Sequence, residues 1–158
     1  MKQIFLKGLL SGILAIVLSL QGATAAAMDT SQSKVVHGMA VYLGIFPAEI
    51  ILGHPKEHPE SEMHGGVPGG KHKYHVVIAL FDNATGKRVT DAEVKANVAE
   101  IGLAGQEKKL QPMKIAGTVT YGNYFEMIGS NPYKVKLQIR RKGEKIAREA
   151  EFEVQHVR

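Results

Sequence analysis

Residues 133–140 alternate without a break. Tyr133, Val135, Leu137 and Ile139 are apolar, and Lys134, Lys136, Gln138 and Arg140 between them are polar. Side chains of a β-strand change face at every residue, so such a run puts one face in a core and the other in water. Lys142-Gly143-Glu144 turns the chain. The pattern then repeats, with Ala150, Phe152 and Val154 facing inward and Glu149, Glu151 and Glu153 outward; His156 falls on the inward side. The C-terminal third is therefore expected to be antiparallel sheet.

The rest of the chain reads the same way. Residues 35–46 (VVHGMAVYLGIF) form an expected first strand that bends at Pro47 and resumes through Ile50-Ile51-Leu52. Residues 73–81 are apolar on both faces, as in a strand near the middle of a sandwich. Residues 82–87 make a turn with Gly86 where such turns need it. Val94, Ala96 and Val98 share one face of a strand over 93–101, with Lys95 and Asn97 on the other. Residues 108–115 form a weaker strand interrupted by Pro112, and 118–127 an aromatic, β-branched one. No segment after the N-terminus reads as a helix. The expected fold is an all-β, immunoglobulin-like antiparallel β-sandwich of about seven strands.

The N-terminus has the build of an export signal. Lys2 and Lys7 precede an apolar stretch over 9–20, and Ala23-Thr24-Ala25 and Ala25-Ala26-Ala27 offer small-x-small cleavage sites. The expected organisation is a signal peptide over 1–27, a flexible N-terminus over 28–34, and one domain over 35–158 with a His/Gly/Pro-rich loop at 53–72. Cleavage removes Lys2 and Lys7 and no acid, so the net charge falls from +5 to +3. The remaining bases are dispersed among acids with no basic, aromatic-laced stripe, which argues against nucleic acid. There is no cysteine, so disulfides, thiol catalysis and thiolate metal sites are excluded. The expected location is the periplasm.

Five of the seven histidines lie within residues 53–75, together with five glycines, three prolines and Met63. Part of this stretch, Gly65-Gly66-Val67-Pro68-Gly69-Gly70-Lys71, imitates a phosphate-binding loop. But His72 stands where Ser or Thr would hold magnesium, and a strand follows where a helix is required. Imidazole and thioether suit copper, and thioether favours copper(I). The histidine spacing matches no zinc-finger or HExxH pattern, so the signal is compositional. The expected metal ligands are His64, His72 and His75 with Met63, supported by His37 and Met39, which would project together if both lie on one strand. The competing reading is a solvated polar loop, with the methionines as core filler. No GxSxG and no convergent acid–base pair is present, so the chain is not expected to be an enzyme.

Several segments also resemble a known family. They are the apolar strand from Tyr74, then Asp82…Gly86-Lys87-Arg88-Val89-Thr90-Asp91-Ala92-Glu93-Val94, then Pro112-Met113, then Gly122-Asn123-Tyr124-Phe125-Glu126-Met127, and the strand over 133–139. In these the chain resembles the small exported FixH/YtkA-like β-sandwich domains. That resemblance implies an accessory protein of copper handling or of a membrane respiratory or metal-transport system. The residues and the resemblance together lead to a periplasmic copper carrier or chaperone. The alternative is a non-metal interaction module docking on a membrane or periplasmic partner.

Overall fold

The computed structural model describes residues 31–52, 66–115 and 117–155. Eight strands and one helical turn follow in order: β1 (Ser33–Val36), β2 (Met39–Pro47), α1 (Ala48–Leu52), β3 (Lys73–Asp82), β4 (Ala92–Glu100), β5 (Gln106–Ile115), β6 (Thr118–Glu126), β7 (Tyr133–Arg141) and β8 (Arg148–Val154). All pairings are antiparallel, in the order β1-β2-β3-β6-β5-β4-β7-β8. In this order β3 lies beside β6 and β7 beside β4, around the consecutive β4-β5-β6 meander, so two Greek keys interlock.

One strand serves both layers. Residues 106–110 of β5 pair with β4, and residues 111–115 pair with β6. The strand crosses between sheets next to Pro112, whose ring cannot donate to a ladder. Where β5 leaves β6, side chains replace the missing backbone partner. The Gln106 amide donates to Glu126 O (3.2 Å), and its Oε1 accepts from Glu126 N (3.5 Å). Lys108 Nζ donates to Tyr124 O (2.6 Å), and Asn123 Nδ2 donates to Lys109 O (2.8 Å). The interruption expected at Pro112 is thus a change of sheet within one continuous strand.

The core lies between the layers. Val76, Ile78 and Leu80 of β3 and Tyr121 and Phe125 of β6 meet Val94 and Ala96 of β4, Val135, Leu137 and Ile139 of β7, and Phe152 of β8. These are the inward positions of the alternations in the sequence. Their polar neighbours form an outer lattice of exposed ion pairs such as Lys134–Glu151 (2.8 Å) and Lys95–Glu107 (3.6 Å). Such exposed pairs are screened by water and add little to stability. Tyr121 joins the layers, because its hydroxyl accepts from Ala92 N (3.0 Å) and donates to Val89 O (3.4 Å).

Two expectations for the N-terminal part need correction. The single strand expected over 35–46 is a hairpin. His37 and Gly38 both have positive φ (48° and 76°) between the paired residues Val36 and Met39, the geometry of a two-residue turn that matches strand twist. The segment after Pro47 does not resume as strand; Ala48–Leu52 forms one helical turn. Ser33 and Lys34 belong to β1. The expected signal peptide lies outside the described residues.

Candidate metal centre

Along β3, Tyr74, Val76, Ile78 and Leu80 enter the core. His75, Val77, Ala79 and Phe81 therefore point to the outer face of the first sheet. An outward histidine is normally wet, yet His75 is only 2% exposed. Its imidazole stacks on Tyr124 of β6, its register partner, with ring centroids 4.7 Å apart and 26° between planes. Tyr124 in turn forms a small second core with Ala48 and Ile51 of α1, and Val67 packs against it. The helical turn and the segment leading into β3 thus roof this end of the outer face.

Met113 of β5 reaches the same place. It is 2% exposed and stands outside the main core. Between it and His75 lies Gly122. A Cβ on Gly122 would sit 2.8 Å from His75 Nε2, 3.1 Å from Met113 Sδ and 2.6 Å from Met113 Cε. Both donor atoms lie within 3.1 Å of one point. Thr120, the register partner of Met113, adds a hydroxyl on this face. Its Oγ1 is buried with no hydrogen-bond partner among the described residues. An imidazole and a thioether buried together over a glycine are donor types that suit copper.

Of the six residues expected as ligands, the four described ones do not gather in one place. His75 is at the centre just described. His72 is half-buried just before β3 and is tied there by Met127 N donating to its carbonyl (2.9 Å). Three residues of chain put it at most about 10 Å from His75. His37 and Met39 do not share a face: His37 is exposed on the β1–β2 turn and Met39 is 1% exposed in the main core. Met39 pairs with Asp82, whereas His75 pairs with Phe46. Seven residues of β3 separate those positions, about 23 Å at strand rise, so His37 and Met39 cannot support a site at His75. Met63 and His64 lie outside the described residues, as do His54, His58 and His156.

Met113 and Gly122 are the residues that sequence reasoning did not single out as part of a site. A glycine inside an aromatic strand is a signal of close approach, but nothing local says that the approaching groups are an imidazole and a thioether. Among the described residues no group of three or more His, Asp or Glu is placed to hold a metal ion. A cleft of about 460 Å³ on the outer face of the second sheet, bounded by Lys95, Glu107, Lys136, Glu149 and Glu151, is a solvated charge lattice with no buried donor.

No protein-family model matches the sequence, and no curated protein matches it. Solved structures do. A DUF4426 family protein from Pseudomonas aeruginosa aligns with a TM-score of 0.56 at 14% identity, over 79% of this chain and 96% of that one. FetP from uropathogenic Escherichia coli, recombinantly expressed in the periplasm, aligns with a TM-score of 0.59 at 15% identity, over 80% and 93%. A copper-bound single-substitution variant of FetP aligns at 0.57 and 14%, over 80% and 94%. The chain is similar to these proteins in fold, which agrees with the β-sandwich that the FixH/YtkA-like resemblance implied.

Proposed function

We propose that this protein is an exported metal-binding accessory protein, a periplasmic carrier or chaperone whose cargo is copper. The observation that carries the reading is the convergence of His75 Nε2 and Met113 Sδ on the space above Gly122, beneath a roof of Tyr124, α1 and Val67. Thioether is a soft donor and imidazole suits copper, and a chain without cysteine has few other soft ligands to offer. The copper-bound FetP neighbour supports the choice of metal. His72 is half-buried three residues before His75. Met63 and His64, by chain connectivity, are within three to four residues of Val67, and we assign them as further donors. No described helix is long and apolar enough to cross a membrane, and the periplasmic location rests on the sequence of residues 1–27 and on FetP. The reading assigns the protein no catalytic step.

The test is titration of the purified protein with Cu(I) and Cu(II) against competing chelators. His75→Ala and Met113→Leu should each weaken binding by about tenfold or more, equivalent to about 1.4 kcal/mol. Affinities unchanged in both variants would refute the reading.

A second reading is a non-metal interaction module that docks through the 53–72 segment and the adjoining edge. It is favoured by Phe46 (47% exposed) and Ile50 (55% exposed), which lie at this end of β2 and on α1. It expects capture of a membrane or periplasmic partner to survive chelators and to be lost when Phe46 and Ile50 are replaced by Ser.

A further inference from the structure

β2 is longer than the strand beside it. It runs from Met39 to Pro47, whereas β1 pairs only with Met39–Tyr42. One more bond continues the ladder, from Leu43 N to Gln32 O (2.8 Å). Backbone groups alternate in direction along a strand, so Ile45 turns its N–H and C=O to the same side as Leu43. No described strand pairs with Ile45 on that side. Pro47, the next position facing that way, has no N–H to satisfy.

This open edge borders a cavity. About 200 Å³ of space lies between the end of β2 and the end of β8, lined by Gln32, Leu43, Ile45, Tyr74, Met127 and Val154 among others. Leu43, Tyr74 and Met127 belong to the main core, and Ile45 and Val154 pack against it. The space is thus a gap in the wall of the core. It sits at the seam where β1 approaches β8, which Lys34 Nζ spans to lie 5.6 Å from the centre of the Phe152 ring.

The register defines what would fit. Ser33 faces Tyr42 and Gln32 faces Leu43. Continued backwards, positions 31, 30, 29 and 28 face Gly44, Ile45, Phe46 and Pro47. The residues there read Met28-Asp29-Thr30-Ser31. Partners across an antiparallel pair share a face, so positions 28 and 30 take the inward side with Leu43 and Ile45, and position 29 the outward side. The expected export signal ends at residue 27, so the processed chain starts at the position opposite the last residue of β2.

We propose that residues 28–31 of the processed chain extend β1 along β2, and that Met28 closes the cavity. Residues 28–30 lie outside the described ones, and Ser31 and Gln32 form a bend in the chain that still carries residues 1–27. The segment matches the edge in length and in polarity. Thr30 N–H and C=O pair with those of Ile45. The α-amino group donates to the Pro47 carbonyl, and Pro47 offers no donor in return. The unbranched side chain of Met28 is of the kind that fills irregular gaps. Removal of the export signal is then the step that completes the sandwich.

The experiment uses protein exported to and processed in a bacterial periplasm, with its first residue fixed by intact mass. Amide hydrogen exchange and thermal unfolding without metal are compared for wild type, Met28→Ser, Met28→Leu and a chain lacking residues 28–31. In the wild type the Ile45 amide should be protected by about 100-fold or more. In the shortened chain it should exchange at least about tenfold faster, while the Val41 amide, within the β1 pairing, stays as it was. Met28→Ser should lower the unfolding midpoint by about 3 °C or more, and Met28→Leu, which conserves volume, should stay within about 2 °C of wild type. An unprotected Ile45 amide in the wild type overturns the proposal, as does Ile45 exchange unchanged by the deletion. A Met28→Ser midpoint equal to wild type overturns the closing of the cavity by Met28, and a processed chain that begins beyond residue 28 overturns the whole.

Discussion

Replacing Tyr121 by Phe removes one oxygen atom from the join between the two sheets. The ring is 1% exposed and keeps its core packing. What changes is that Ala92 N loses an acceptor at 3.0 Å and Val89 O, at a buried residue, loses a donor at 3.4 Å. An unsatisfied buried backbone group costs about 1–3 kcal/mol. The Ala92 bond is good and the Val89 bond is long, so the expected loss is about 1.5–2 kcal/mol. Urea unfolding followed by far-ultraviolet circular dichroism should show an unchanged slope. With a slope near 2 kcal/mol per molar, the midpoint should fall by about 0.8–1 M.

The pH dependence of this effect has a definite sign. Burial raises the Tyr121 phenol above its ordinary value of 10.0. Its neutral form is the one the fold favours, so its contribution is fully present below the unfolded value and is lost as pH rises through the folded one. The gap between wild type and Phe should therefore narrow above about pH 10. A loss under about 0.5 kcal/mol at neutral pH would show that water or backbone adjustment replaces the hydroxyl, and would refute its role as the inter-sheet tie.

Three further outcomes test the account of the fold. Phe152→Ala empties a fully buried core position and should cost about 3–5 kcal/mol in the same assay. Gln106→Ala removes both side-chain bonds to the Glu126 backbone. It should cost only about 0.5–1 kcal/mol but should visibly speed hydrogen exchange of the Glu126 amide. The Thr85 hydroxyl and amide hydrogen-bond to Asp82 and hold its carboxyl below the ordinary 3.8. Its stabilising effect is present above that value and is lost as pH falls through the lower folded one; Asp82→Asn should flatten this acid limb of stability, and an Asp82 titration by nuclear magnetic resonance at or above 3.8 would contradict the assignment.

The sandwich was legible where burial is one-sided. β7 and β8 alternate strictly because one face meets the core and the other meets water. The hairpin at His37-Gly38 was not legible, because two-residue turns usually declare themselves by Asn-Gly or Asp-Gly, and histidine is a less common occupant of positive φ. Without that turn, His37 and Met39 looked like neighbours on one face; with it, one is solvent-exposed and the other is in the core. Pro112 read as an interruption because a ladder position without a donor is ambiguous until both of β5's partners are known.

The centre was half legible. His75 was found by histidine density, yet what makes it unusual is burial on an outward face. Met113 and Gly122 meet His75 only because β3, β6 and β5 are adjacent in the sheet. That adjacency is a Greek-key property, and no local pattern encodes it.

The most direct test of the central claim is the X-ray absorption spectrum of the protein loaded with one equivalent of Cu(I), compared with the spectrum of Met113→Leu, a volume-conserving change. The convergence of His75 and Met113 predicts nitrogen and sulfur scatterers on copper in the wild type, with the sulfur gone or diminished in the variant. A spectrum with nitrogen and oxygen alone, or a sulfur contribution unchanged by Met113→Leu, would contradict it.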